Sequence, residues 1–97
     1  MLRITFDPIK DAANIAKHGL SLDDAALVFN APGKLTLEST KASESRLMDI
    51  ALVQRVGVVL VLVYVLREPN AVRAISLRRA SKHERSLYAS WQETRRA

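Results

Sequence analysis

The 97-residue chain has no cysteine, which excludes a disulfide framework and any thiolate metal site. It has three glycines, and none forms a glycine-rich phosphate loop. No His, Asp and Glu cluster has metal-ligand spacing, and no Ser, His and Asp follow a hydrolase order. Cofactor chemistry is therefore not expected, and neither a metal nor a cofactor is assigned. The longest apolar run, Val56 to Leu66, is too short to span a bilayer and is rich in β-branched residues, so it reads as a buried strand and not as a membrane segment. The first ten residues carry Arg3 and Asp7 and no long apolar core, so they do not read as a signal peptide. With the lack of cysteine, this suits a cytoplasmic protein. No repeat, low-complexity segment or linker interrupts residues 1–97, which are expected to form one domain with a modest core.

What the chain does have is positive charge, unevenly placed. Residues 1–66 hold seven Lys/Arg and seven Asp/Glu, whereas residues 67–97 hold eight and three, so the whole net charge of +5 lies in the last third. Two readings fit this asymmetry: a surface for a polyanion such as nucleic acid, or a solvated C-terminal helix.

The pattern along the chain predicts the order β-α-α-β-β-β-β-α. Residues 2–6 alternate as a short strand. Asp7 caps a helix with Pro8 at its first position, where a missing N–H costs nothing. Ile9, Ala13 and Ala16 form its apolar stripe, and Gly19 is a left-handed C-cap candidate. Ser21 caps a second helix over 21–29, with Leu22, Ala25, Ala26 and Phe29 as its inner face. Strands are expected over 34–39, 46–54, 58–66 and 72–78. The third of these is apolar on both faces and should be central. Arg55 to Gly57 is a tight reversal, and residues 67–71 form a turn. Ser81 with Glu84 three residues on is a capping box opening the last helix, in which Leu87, Tyr88 and Trp91 can face the sheet. Four consecutive meander strands with helices at the ends imply an α+β fold: an antiparallel sheet of four to five strands packed against two N-terminal helices and one C-terminal helix.

Several polar residues could carry chemistry. Lys10, Asn14, Lys17 and His18 make one stripe of the first helix, either a solvated face or part of a site. Arg46 and Arg73 each begin a strand, and Arg67 opens a turn. Strict alternation puts Ser76 and Arg78 on one face of the last strand and Arg73, Ile75, Leu77 and Arg79 on the other. His83 falls in the first turn of the last helix and is expected to be exposed. The spacing of Tyr88 and Trp91 with Leu87 fits core better than base stacking.

These residues, in order, resemble the BrnT family of small toxins. The matching positions are Phe6, Asp7, Pro8, Lys10, Asn14, Lys17, His18, Gly19 and Ala25; then Glu44 and Arg46; then Arg73, Ile75, Ser76, Arg78, Ala80, Glu84, Arg85 and Tyr88. The match covers nearly the whole chain. Its departures, at Phe6, Leu20 and Leu22, touch packing and not the polar set. The resemblance implies a RelE-like fold and a ribonuclease toxin of a type II toxin–antitoxin pair. It also implies a ribbon-helix-helix, BrnA-like antitoxin forming a hetero-oligomer with the toxin, with operator DNA reached only through that antitoxin.

RNA supplies its own nucleophile, the 2′-OH, so a cleaving protein needs cations aimed at the phosphate and a proton-transfer group, and no metal. Arginine grips phosphate in two places and keeps its charge. On the resemblance, Arg46, Arg73 and Arg78 are the candidate phosphate ligands of the catalytic set. His18 is the candidate proton-transfer group, histidine being the side chain that changes charge nearest neutrality. Lys10, Lys17, Arg67, Arg79, Lys82 and Arg85 are candidates for binding RNA. The rival is a non-catalytic module that binds nucleic acid or an antitoxin.

Overall fold

The computed structural model describes residues 3–41, 44–67 and 69–96. Strand β1 (Arg3–Thr5) leads to helix α1 (Pro8–His18), a 3₁₀ turn (Leu22–Asp24) and a short helix α2 (Ala25–Phe29). Then come strands β2 (Leu35–Lys41), β3 (Glu44–Val53), β4 (Val58–Arg67) and β5 (Ala71–Arg79), and helix α3 (Lys82–Arg96). The α+β class and the element order are as expected.

Local chemistry sets most of the boundaries. The Asp7 carboxylate accepts from the Ile9 N–H at 2.8 Å, with Pro8 beginning the helix. Gly19 closes α1 with φ of 72°, a left-handed geometry that costs glycine little. Ser21 caps the next turn through the Asp23 N–H. The 21–29 segment is a 3₁₀ turn followed by α2 rather than one continuous helix. The Ser81 Oγ accepts from the Glu84 N–H at 3.1 Å, and Glu84 Oε1 accepts from the Ser81 N–H at 2.8 Å, completing the capping box.

The sheet order is β1-β5-β4-β3-β2. Strands β2 to β5 form the expected antiparallel meander, with β4 central. The sheet is nevertheless mixed, because β1 runs parallel to β5 through the pairs Arg3↔Ala71, Ile4↔Val72 and Thr5↔Arg73. A parallel neighbour requires a long return connection, and here most of the chain supplies it.

The helices cover opposite faces. Leu22, Ala25 and Val28 pack on Ala51, Val53, Leu60, Leu62, Tyr64, Val72, Ala74 and Leu77. On the other face Ala80, Tyr88 and Trp91 meet Leu35, Ile50, Val59 and Val61. Leu87, expected against the sheet, lies outside the buried cluster at 40% exposure. Beneath α2 the fully buried Asp49 carboxylate accepts from Lys34 Nζ at 2.6 Å, Thr36 Oγ1 at 2.6 Å and the Tyr64 hydroxyl at 3.1 Å. Lys34 also donates to the Phe29 carbonyl and lies 4.1 Å from its ring centroid, fastening the 30–34 loop to the sheet. Burial first, then the Asp49 charge and hydrogen bond, push the Tyr64 hydroxyl above its ordinary range, so it stays a donor.

Helix α1 overturns the expected orientation. Its stripe of Ile9, Ala13 and Ala16 faces solvent, and the residue it buries is Asn14. The reason is an open backbone edge. Strand β1 stops at the partner of Arg73, so the outer edge of β5 beyond that point needs another partner. The Asn14 carboxamide supplies it, donating to the Leu77 carbonyl at 2.8 Å and accepting from the Leu77 N–H at 3.1 Å. It also donates to the Leu20 carbonyl at 2.8 Å, holding the helix exit. Asn14→Leu keeps the branching and the number of heavy atoms but strands two buried backbone groups. It should cost about 2–4 kcal/mol in urea unfolding. A loss comparable to that of an ordinary surface substitution would show that the edge does not need this clamp.

Candidate nucleic-acid interface

Strand β5 carries one residue more than β4 over their shared length. Val63 pairs with Ser76, but the next pair is Tyr64↔Ala74, so Ile75 is the extra residue of a bulge. Strict alternation separated Arg73 from Ser76 and Arg78. The bulge reverses that parity. Arg73 stands beside Val65, Ser76 beside Val63 and Arg78 beside Val61, all on the α3 side of the sheet. The pairing of β3 with β4 places Arg46 on this face too, since Leu47 and Met48 pair with Tyr64 and Val63. Because α3 packs over Ile50, Val59 and Val61, the β5 portion of the face lies beside the helix.

At the edge of the same region, α1 and the bulge enclose a cleft of about 190 Å³ lined by Lys10, Ala13, Asn14, Lys17, His18, Ile75 and Ser76. Lys10 and Lys17 are exposed, while His18 and Ser76 are half-buried. The Asn14 clamp sets the height of α1 along β5 and so aligns Lys10, Lys17 and His18 with Ser76. The helix stripe and the last strand, far apart in sequence, thus share one cleft.

Arg78 is engaged. Its Nη1 and Nη2 donate to Glu84 Oε1 and Oε2 at 2.6 and 2.8 Å, a two-point ion pair between β5 and α3. The same carboxylate completes the capping box. The hydrogen bonds from Arg78, and secondarily those at Ser81, lower the Glu84 carboxyl from 4.5 to about 2 against the opposing effect of burial. The Glu84 bond correspondingly raises the Arg78 guanidinium.

The remaining candidates disperse. Arg67 follows Val65 on the Arg73 face, at the far end of β4. Arg79 pairs with Leu60 and so points to the opposite face. Lys82 and Arg85 lie at the start of α3, where Arg85 Nη1 donates to the Ala80 carbonyl at 2.9 Å. His83 is exposed, as expected. Two residues near the cations went unassigned in the sequence: Ser76 in the cleft and Glu84 on Arg78. The spacing that marks the capping box marks Glu84 as a helix starter and carries no sign of its second partner. Among the described residues no group of three or more His, Asp or Glu is placed to hold a metal ion, and no helix is long and apolar enough to cross a membrane.

The lowered Glu84 carboxyl gives a pH signature. A depressed folded-state value stabilises the fold above about pH 4.5 and loses that contribution as pH falls toward 2. Glu84→Gln should lower stability at pH 7 by about 1–3 kcal/mol. Thermal unfolding of both proteins across pH should show the gap closing below pH 4.5. A gap independent of pH would exclude the ion pair as its source.

Comparison with known proteins bears on the family and the fold. A family model described as "Ribonuclease toxin, BrnT, of type II toxin-antitoxin system" matches residues 6–84. Among solved structures, the 1.1 Å crystal structure of the Brucella abortus ribonuclease toxin, BrnT, is similar, with a TM-score of 0.66 and 28% sequence identity. That similarity covers 84% of this chain and 100% of the other. No curated protein matches the sequence.

Proposed function

Because the chain belongs to the BrnT family of ribonuclease toxins of type II toxin–antitoxin systems, we propose that it cleaves RNA without a metal ion, using the cleft between α1 and β5 and the arginine face beside it. The observation that carries this reading is the convergence of Lys10, Lys17, His18 and Ser76 in one cleft, on the edge of a sheet face bearing Arg46, Arg73 and Arg78. A phosphate needs cations from several directions, and a helix and a strand meeting at an angle supply them.

In the proposed step the RNA 2′-oxygen forms a bond to the adjacent phosphorus and the bond from phosphorus to the 5′-oxygen breaks. The products are a 2′,3′-cyclic phosphate and a 5′-hydroxyl. His18 accepts the proton from the 2′-OH or returns one to the leaving oxygen. Arg73, Arg46 and Arg78 balance the charge that gathers on the equatorial oxygens. Arg78 reaches phosphate by sharing or exchanging its Glu84 partner. Lys10 and Lys17 flank the cleft, Arg67 serves RNA beyond one end of the face, and Arg79, Lys82 and Arg85 serve it beyond the other.

The toxin–antitoxin family supplies a protein antitoxin as partner. We place it as a ribbon-helix-helix protein that covers the basic surface in a hetero-oligomer and alone contacts operator DNA, with the toxin acting in the cytoplasm. The lack of excess charge before residue 67 favours the C-terminal third for long-range attraction of an acidic segment.

Labelled RNA incubated with purified protein in EDTA should be cut to cyclic-phosphate ends, and a 2′-deoxy nucleotide at the cut site should abolish the cut. Arg73→Ala and His18→Ala should each slow cleavage by about a hundredfold. Arg95→Ala, whose guanidinium lies 4.6 Å from the Trp91 ring centroid, is the charge-matched control and should cleave normally. RNA that stays intact with and without magnesium would favour the binding-module reading. Cutting only with magnesium would remove the metal-free step.

A further inference from the structure

Helix α1 is mounted with its polar side inward. Asn14 is buried on the β5 edge, Asp11 accepts from the Leu22 N–H at 2.6 Å and from Ser21 Oγ at 3.1 Å, and His18 lines the cleft. At 3.6 residues per turn, the opposite side consists of Ile9, Ala12 and Ala16, all exposed, while Ala13 stands at the rim of the cleft. Ile9 is 79% exposed and Ile15, on one flank, is 47% exposed. Lys10 and Lys17 are exposed between Ala13 and the buried Asn14, beside the cleft. A surface helix ordinarily turns its apolar side to the core. Here the edge clamp takes that position, and the apolar side is left without a packing partner among the described residues.

We infer that the outer face of α1 is the anchor for the antitoxin, which lays an amphipathic helix along Ile9, Ala12 and Ala16 with acidic side chains directed at Lys10 and Lys17. This rests on the reading of the chain as a toxin with a protein antitoxin. Two features select this occupant. Alanines flanked by isoleucines admit close approach of another helix, which an RNA backbone could not exploit. The lysine flank demands negative charge, whereas a second copy of this chain would bring its own lysines to the same seam. The placement explains neutralisation without a conformational change, because apolar contacts hold the partner while its carboxylates occupy the cations of the cleft. Binding energy and inhibition then come from two sides of one helix.

The test uses the full chain and the cognate antitoxin, identified as the protein whose co-expression restores growth. Ile9→Ser and Ala16→Gln are neutral changes outside the cleft that leave the field over the phosphate site unchanged. Each, and the double variant more strongly, should retain wild-type toxicity and RNA cleavage yet weaken antitoxin capture at least about tenfold. Leu52→Ser alters an exposed apolar residue in a separate groove of about 600 Å³ between α2 and α3, and should be captured like wild type. Outer-face variants captured with unchanged affinity would overturn the anchor, as would loss of capture on Leu52→Ser alone. A wild-type chain that no co-expressed protein captures or silences would overturn the toxin–antitoxin reading and this anchor together. Unchanged melting temperatures exclude misfolding as a cause.

Discussion

The site depends on how the outer edge of β5 is satisfied. Strand β1 covers only its first three residues, and an open edge with buried groups is not tolerated. One carboxamide, Asn14, replaces the missing strand at Leu77. A helix that must present a polar residue to a strand edge cannot also present its apolar side to the core. The clamp therefore determines at once where Lys10, Lys17 and His18 stand relative to β5 and which side of α1 is left outside. The bulge at Ile75 acts beside it. Without the extra residue, Arg73 would fall on the α2 side of the sheet and Ser76 and Arg78 on the α3 side.

Features set by neighbours a few residues apart were legible in the sequence. Asp7 before Pro8, Gly19 after the last helical turn, and Ser81 three residues before Glu84 each state their own backbone chemistry. The β-branched run that became β4 was equally plain, because its burial on both faces is written in every residue. What could not be read depended on partners distant in sequence. The bulge exists only relative to β4, so strict alternation along β5 gave the wrong parity for Arg73. The parallel pairing of β1 leaves no mark in a three-residue strand. Asn14 looked like one more polar residue of a stripe because its partner lies sixty-three positions away. Within the candidate site, residue identities came from the resemblance to a family, and their assembly into a cleft came from the fold.

The charge asymmetry also changes meaning in three dimensions. The excess positive charge of the last third is spread over two sheet faces and the start of α3, not gathered in one patch. Arg78 is neutralised by Glu84 and Arg79 faces away from Arg73. The cleft draws its lysines from the part of the chain that has no net charge. Net charge along a sequence thus indicates a polyanionic partner better than it indicates where that partner lies.

Helix α3 is attached to the sheet through an apolar contact and a polar first turn. Tyr88 and Trp91 supply its apolar contact, and the Tyr88 hydroxyl accepts from the Leu52 N–H at 3.2 Å and from Gln92 at 3.0 Å. The Arg78–Glu84 pair fastens its first turn. A terminal helix outside the strand ladder detaches at lower cost than the strands beneath it. Its departure would leave the meander and the α1 clamp intact while baring Ile50, Val59 and Val61 and freeing the Arg78 guanidinium. Loss of this one helix would therefore strip the apolar cover from one face of the sheet while the α1 edge, and with it the cleft, stayed in place.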